Sequence, residues 1–210
     1  MNPAYIDINE LRPEFLSRQA QIRNRLEDFA GVKPEQYFYE LVYCLLTPQS
    51  SAINAGKAVK ALRASKLFEQ DIEPSILLHQ EGFYIRFHNT KGGHIKEAKK
   101  QFNEITAALS NGHSSVELRK WLAGNVKGLG WKEASHFLRN IGHKNLAILD
   151  RHILKNLKRH NVIRTLPKTL TPKRYLAIEQ KFIAFSEHIG ITMDELDLLF
   201  WSRETGEILK

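Results

Sequence analysis

The segment Val126–Asp150, which reads VKGLGWKEASHFLRNIGHKNLAILD, constrains the fold more than any other part of the chain. Gly128 and Gly130 flank Leu129, and glycine is the residue that turns tightly and lets backbone N–H groups approach an anion. Apolar residues then recur at helical spacing as far as Gly142, which is typical of a helix end. The segment therefore predicts a tight hairpin that leads directly into a helix.

Two ionisable residues of this segment form a candidate catalytic pair. Lys132 falls in the first turn of the predicted helix, where the helix dipole disfavours a cation. Asp150 lies 18 residues further on, immediately before another helical run that it can cap. A lysine driven towards its neutral form, with a carboxylate to assist it, is typical of nucleophilic catalysis. The alternatives are a solvated surface lysine and a carboxylate that only caps a helix.

Apolar residues recur at helical spacing along the rest of the chain, and no alternating run is long enough to predict a strand. The predicted helices are 13–29, 35–46, 52–64, short pieces around 66–70 and 75–79, one long helix through 95–109, and then 114–122, 151–160, 175–189 and 193–200. Ser114 with Glu117, and Thr192 with Glu195, have the spacing of a capping box. The sequence predicts an all-α fold of roughly a dozen helices in two lobes.

Composition limits the class of protein. The 210 residues are 42% hydrophobic, enough for a substantial core, and the formal charge of +8 favours a polyanionic partner such as nucleic acid. The single cysteine, Cys44, excludes an internal disulfide, a four-cysteine zinc site and an iron–sulfur cluster held by this chain. The histidines have no metal-ligand spacing, so no transition-metal site is predicted.

The start of the chain has neither a basic segment nor an apolar core, and no apolar run reaches the length of a membrane span. These features predict a cytoplasmic protein without a signal peptide or a membrane partner.

The hairpin formed by Gly128, Leu129 and Gly130 has a functional and a structural interpretation. Backbone N–H groups at the start of a helix can bind a DNA phosphate, but the same glycines can form an ordinary turn between two helices. The spacing to Lys132 and Asp150 favours the DNA-binding interpretation.

These four positions, Gly128, Gly130, Lys132 and Asp150, resemble the helix-hairpin-helix glycosylase superfamily. Within it, the chain looks like the second 8-oxoguanine DNA glycosylase family, found in archaea and thermophilic bacteria. Three runs carry that resemblance: LLTPQSSA at 45–52, RFHNTKGGHI at 86–95, and the C-terminal TGEILK.

The resemblance implies a two-lobed glycosylase with its active site in the cleft between the lobes. The expected lobes are a central helical one at about 34–125, and a hairpin lobe at about 126–210 that includes the N-terminal helix. The implied reaction removes 8-oxoguanine after the base is flipped out of the duplex. Lys132 attacks C1′ of the sugar, a Schiff base forms, and β-elimination nicks the strand. Asp150 stabilises the cationic sugar and assists proton transfer.

Further DNA contacts are implied by the resemblance. Arg86 and Phe87 match residues that touch both strands and wedge the gap left by the flipped base, although core packing and a surface ion pair are the alternatives. Gln49 and Ser50 follow a core helix at the place where the superfamily fills the vacated stack. The hairpin can also hold a monovalent cation through backbone carbonyl groups, and no other cofactor is implied.

Lesion recognition is expected at the C-terminal end. The free carboxylate of Lys210 is an acceptor, and 8-oxoguanine presents an N7–H donor where guanine presents an acceptor. Trp201 can stack on the flipped base, or it can be a buried core residue. The expected partner is double-stranded DNA containing 8-oxoguanine, bound by a monomer. Two alternatives stay open: a glycosylase of this fold for another damaged base, and a hairpin module that binds DNA without chemistry.

Overall fold

The computed structural model describes residues 4–208 and divides them into two compact units. The first unit contains residues 4–31 and 142–208, and the second contains Val32–Ile141. The second unit ends at 141/142, whereas the sequence predicted the boundary between the two lobes at about 125/126. The hairpin helix stays with the residues before it because it packs on two helices of the second unit.

The second unit is built around one buried helix. It begins with a short 3₁₀ helix, Pro34–Gln36, and continues with α2 Tyr37–Leu46, α3 Ala52–Ala64, α4 Pro74–Leu77, β1 His79–Gln80, β2 Phe83–Tyr84, α5 His88–Lys100, α6 Phe102–Ser110, α7 Ser115–Asn125 and α8 Trp131–Asn140. Every residue of α2 from Phe38 to Leu46 is buried, and α2 packs on α3, α5 and α8. A helix that is apolar on all sides can only be stable when neighbours cover it in this way.

The first unit consists of four helices: α1 Leu11–Ala30, α9 Arg151–Arg159, α10 Pro172–Ile189 and α11 Met193–Thr205. Helix α11 packs against each of the other three. Its core includes stacked rings of Phe182, Phe200 and His160. The buried segment before α9 is held by side chains: Glu179 accepts the N–H of Ala147 at 2.8 Å.

Both predicted capping boxes are present. Ser114 and Thr192 each accept an N–H from the glutamate three residues on, and each glutamate accepts the cap residue's N–H in return. The all-α prediction is confirmed. Among residues 4–208 the β structure is one antiparallel pair of two-residue strands.

Two predicted helices are wrong in detail. The run around 66–70 forms consecutive turns, and the long helix is divided into α5 and α6 at Gln101. Neither glycine nor proline marks this break; instead, the Gln101 amide donates to the carbonyl of Asn125, a contact that only the tertiary structure creates. No helix in the part of the chain described here has the length and apolar character needed to cross a membrane.

Candidate active site

The glycine hairpin joins α7 to α8. Gly128 has a φ of +91°, and a Cβ at this position would lie 2.4 Å from Nδ1 of His94. Leu129 is buried, and its N–H donates to the carbonyl of Val126 at 3.1 Å, which closes the turn. Any residue other than glycine is therefore disfavoured at position 128 for two reasons: the backbone conformation and the lack of space for a Cβ.

Helix α8 begins without a side-chain cap. Gly130 is its exposed N-cap residue, and the first hydrogen bond of the helix runs from the N–H of Ala134 to the carbonyl of Gly130 at 2.9 Å. The first N–H groups of an α-helix point out of its N-terminal end, and the helix dipole adds positive potential there. This geometry is suited to an anion such as a phosphate.

Lys132 is the second residue of α8, and its side chain is 25% exposed. Its ammonium lies 3.1 Å from Oε1 of Glu133, whose own side chain is 15% exposed. Sequence reasoning missed Glu133, although an acidic residue in the first turn of a helix is a familiar signal. The candidate nucleophile is thus reachable from solvent and paired with an adjacent carboxylate.

Asp150 is the N-cap of α9, as its position predicted. Its Oδ1 accepts the N–H groups of His152 and Ile153, both at 2.8 Å, and its Oδ2 accepts the indole N–H of Trp201 at 2.8 Å. Three hydrogen-bond donors therefore fix the orientation of the carboxylate. The Trp201 contact could not be predicted from sequence, because 51 residues separate the partners.

The backbone before Asp150 is held as firmly as its side chain. The hydroxyl of Tyr175 accepts the N–H of Leu149 at 3.2 Å and donates to the carbonyl of Ala147 at 2.6 Å. Tyr175 is a buried residue of α10. Its two hydrogen bonds therefore fix the backbone just before Asp150 against the core of the first unit.

The structure brings the four predicted stack-filling and wedge residues together. The Arg86 N–H donates to Oγ of Ser50 at 3.1 Å, and the Arg86 guanidinium lies 4.9 Å from the centre of the Phe87 ring. Phe87 is 50% exposed, which excludes the core-packing alternative, and it has a left-handed φ of 59°. Gln49 is exposed and also left-handed, with φ 55°. An exposed aromatic ring on a strained turn is a feature that functional sites retain.

The remaining predicted site residues are divided between the two units of the chain. Trp201 is partly exposed and belongs to the first unit, together with Asp150. Lys132, the hairpin and the wedge residues belong to the second. Lys210 lies outside the described residues. Within 4–208, no group of three or more histidine, cysteine, aspartate or glutamate side chains is arranged to hold a metal ion.

Comparisons with known proteins agree with the resemblance read from the sequence. A family model described as 8-oxoguanine DNA glycosylase matches residues 22–191. The 8-oxoguanine DNA glycosylase/AP lyase of Fusobacterium nucleatum is 39% identical over 212 residues, covering 96% of this chain and 97% of the relative.

Solved structures extend the agreement to the fold. The crystal structure of the 8-oxoguanine DNA glycosylase of Thermotoga maritima matches with a TM-score of 0.86 and 32% identity, covering 97% of this chain and 98% of that one. A Methanocaldococcus jannaschii 8-oxoguanine glycosylase/lyase, solved in complex with 15mer DNA containing 8-oxoguanine, matches with a TM-score of 0.84 and 31% identity over 96% and 100% of the chains. The helix-hairpin-helix glycosylase fold is thereby confirmed, and the chain belongs to the 8-oxoguanine DNA glycosylase family.

Proposed function

We propose that this protein excises 8-oxoguanine from double-stranded DNA and then nicks the strand at the abasic site through a lysine Schiff base. Relatives that share at least a third of its residues are named for both activities. The observation that carries the chemistry is the position of Lys132: its ammonium is accessible, and it follows directly after an uncapped helix start that can bind phosphate.

In the proposed reaction, the neutral amine of Lys132 attacks C1′ of the damaged nucleotide, and the base leaves with the electrons of the glycosidic bond. Cleavage of the C1′–O4′ bond then opens the sugar ring and gives the Schiff base. Removal of a proton from C2′ breaks the C3′–O bond and releases the 3′ phosphate. A free lysine has a pKa of about 10.4, so attack requires surroundings that disfavour the ammonium. Lys132 lies in the first turn of α8, at the positive end of the helix dipole, and its ammonium is 3.1 Å from Oε1 of Glu133.

Asp150 supplies the negative charge in this scheme. Three donors hold this carboxylate in one orientation, so it can stabilise a cationic sugar without a reorganisation cost. Trp201 then has a role that its sequence position did not predict, because its indole N–H fixes Oδ2 of Asp150. Its indole face can still stack on an extruded base.

We assign DNA binding to three features of the second unit. The hairpin at Gly128–Gly130 binds a backbone phosphate and can hold a monovalent cation through its carbonyls. Phe87 wedges the base stack, with Arg86 beside it. Gln49 and Ser50 fill the space left by the extruded base. The enzyme acts as a monomer in this proposal, since every proposed contact comes from one chain.

The test is a set of duplexes that carry 8-oxoguanine, thymine glycol, an adenine mismatch or undamaged guanine, each treated with the protein and sodium borohydride. A reduced covalent adduct is expected with the 8-oxoguanine duplex and with a preformed abasic site. Base release from another lesion alone would indicate a different substrate. Tight binding without release from any duplex would indicate a binding module and would contradict the proposed function.

The C-terminal carboxylate has its own test. Esterifying or removing Lys210 is expected to impair excision of 8-oxoguanine more than cleavage of a preformed abasic site, because only the first step requires recognition of N7–H. An equal loss of both activities would remove Lys210 from lesion recognition.

A further inference from the structure

The second unit contains a lysine whose ammonium is buried and bound by neutral acceptors. Lys91, on α5, is 5% exposed, and its ammonium donates to the carbonyl oxygens of Leu46 at 2.7 Å and Pro48 at 2.6 Å and to Oγ of Ser50 at 3.2 Å. An ammonium has three donors, so each of them is used. No carboxylate pairs with it among the residues that the structure describes.

The acceptors are the last residue of α2, Leu46, and two residues of the junction between α2 and α3, Pro48 and Ser50. This junction contains Gln49 in its left-handed conformation. The same Ser50 hydroxyl accepts the N–H of Arg86, which precedes the left-handed Phe87. One buried ammonium is therefore bonded, directly or through one hydroxyl, to both strained turns that present the proposed stack-filling and wedge residues.

Holding a charge here is costly. Burial, together with repulsion from the nearby Lys132, lowers the pKa of Lys91 to about 8. The junction offers only neutral acceptors, so the ammonium stays because carbonyl dipoles replace part of its lost hydration. Costs of this kind are typical of groups that hold a strained functional conformation.

We propose that Lys91 is a positioning residue that locks the Gln49–Ser50 turn and the Arg86–Phe87 turn in the conformation that enters the DNA stack. This inference rests on the proposed function, since it specifies how the DNA-contacting turns are pre-ordered. The ammonium itself touches no substrate; it acts through two carbonyls and one hydroxyl.

The same helix provides a matched control. Lys99 also donates its ammonium to two backbone carbonyls, those of Leu67 at 2.8 Å and Gln70 at 2.6 Å. Those acceptors lie in the turns after α3, which carry none of the proposed DNA contacts. A lysine that binds backbone carbonyls only for stability is thus available for comparison with Lys91.

The experiment uses a duplex with an uncleavable tetrahydrofuran abasic analogue and 2-aminopurine opposite it, so that fluorescence reports the environment of the unpaired base. Full-length wild type, Lys91→Met and Lys99→Met are compared at saturating protein. We expect Lys91→Met to lose most of the fluorescence change and to bind the duplex about tenfold more weakly, close to 1.4 kcal/mol. Lys99→Met should keep the full fluorescence change.

A pH series adds a readout that a purely structural role would not move. Lys132 on α8 is the charged group that acts on the Lys91 ammonium, whereas the α2–α3 junction faces it with carbonyls and a hydroxyl. Between pH 7 and 9 the wild-type and Lys99→Met signals should fall as Lys91 loses a donor. Lys91→Met should be flat.

Unfolding does not produce the same trend. The pKa of Lys91 is lower in the folded protein than in the unfolded chain, so between about pH 8 and 10.4 the unfolded chain binds more protons. The contribution of Lys91 to the free energy of unfolding therefore rises over this range, in the direction opposite to the expected fluorescence signal.

Three results would overturn the assignment: an undiminished signal in Lys91→Met, an equal loss in Lys91→Met and Lys99→Met, or a wild-type signal that is constant from pH 7 to 9. If Lys91→Met does not fold, Lys91→Arg decides, because its charge does not titrate in this range and its signal should not fall. The uncleavable duplex separates this result from the glycosylase test: absence of a borohydride adduct would refute the proposed chemistry and leave the fluorescence comparison valid.

Discussion

The starts of α8 and α9 are built in opposite ways, although each carries one residue of the proposed catalytic pair. At α8 the N-cap is a glycine without a side chain, and Lys132 places a positive charge where the helix dipole is positive. At α9 the cap is the Asp150 carboxylate, which accepts two backbone N–H groups and is favoured by the same dipole.

This difference separates chemistry from structure. The Lys132 ammonium contacts the carboxylate of its sequence neighbour Glu133, so this contact stays within the first turn of α8. Asp150 holds the first turn of α9 and joins it to α11 through Trp201. Substitution at the start of α8 should therefore affect activity alone, while substitution at the start of α9 should affect activity and stability together.

The largest expected effect is that of Lys132→Gln. Removing the nucleophilic amine should lower adduct formation and strand cleavage by about a thousandfold or more. The free energy of unfolding should change by less than about 0.5 kcal/mol, since the side chain is partly exposed. Single-turnover cleavage and urea denaturation measure the two quantities.

Lys127→Gln, at an exposed lysine next to the same hairpin, is the control and should keep the activity. Substantial adduct formation by Lys132→Gln would contradict the assignment of Lys132 as the nucleophile.

The second prediction separates the two tasks of Asp150. Asparagine also caps helices, so Asp150→Asn should retain most of the stability, whereas Asp150→Ala should lose about 1 kcal/mol. Both variants lack the negative charge and should cleave about a hundredfold more slowly. Denaturation curves and single-turnover rates of the two variants are to be compared. Equal activity in Asp150→Asn and wild type would show that Asp150 only caps α9.

Trp201→Phe should have a smaller effect, about tenfold. Phenylalanine keeps a ring for stacking but removes the N–H that binds Asp150. If this hydrogen bond matters, cleavage of a preformed abasic site should fall as much as excision of 8-oxoguanine. Loss of excision alone would instead assign Trp201 to base stacking. Trp121→Phe on α7, which keeps a ring but affects no residue of the pair, is the control.

The smallest expected effect is a pH dependence of stability that comes from His160 in the first unit. His160 follows α9; its Nδ1 contacts the Ile6 carbonyl and its Nε2 contacts Arg203, both at 3.0 Å. Burial lowers the pKa of His160, with Arg203 adding to the effect, so the folded state favours the neutral ring. The resulting stability is complete above about pH 6.5 and is lost as the pH falls through the lowered value.

Thermal unfolding of the wild type between pH 7.5 and 5 should therefore show a decline of roughly 1 kcal/mol or less that His160→Asn reduces. An identical pH dependence in the variant would assign the decline to other groups. A decline in the variant that is steeper than in the wild type would contradict the direction of the pKa shift.

Sequence patterns predicted the features that depend on neighbours in the chain. The cap at Asp150, the two capping boxes and the glycine turn at 128 all arise from residues within a few positions of one another. Such interactions have the same spacing in any protein, which is why the sequence alone was sufficient.

The features that the sequence did not predict depend on distant contacts. Lys91 lies in a basic, glycine-containing run that resembles a solvated surface, and only the fold places it beneath the α2–α3 junction. The bond from Gln101 to Asn125 and the bond from Trp201 to Asp150 likewise join residues of different parts of the chain. Local spacing carries no signal for these contacts.

The nucleophile can be identified by peptide mass spectrometry of the borohydride-reduced adduct formed with an 8-oxoguanine duplex. After nuclease and protease digestion, the deoxyribose remnant should be attached to the peptide that contains Lys132, and to its side-chain nitrogen. A remnant attached to another lysine or to the N-terminal amine would contradict the assignment of Lys132 as the nucleophile.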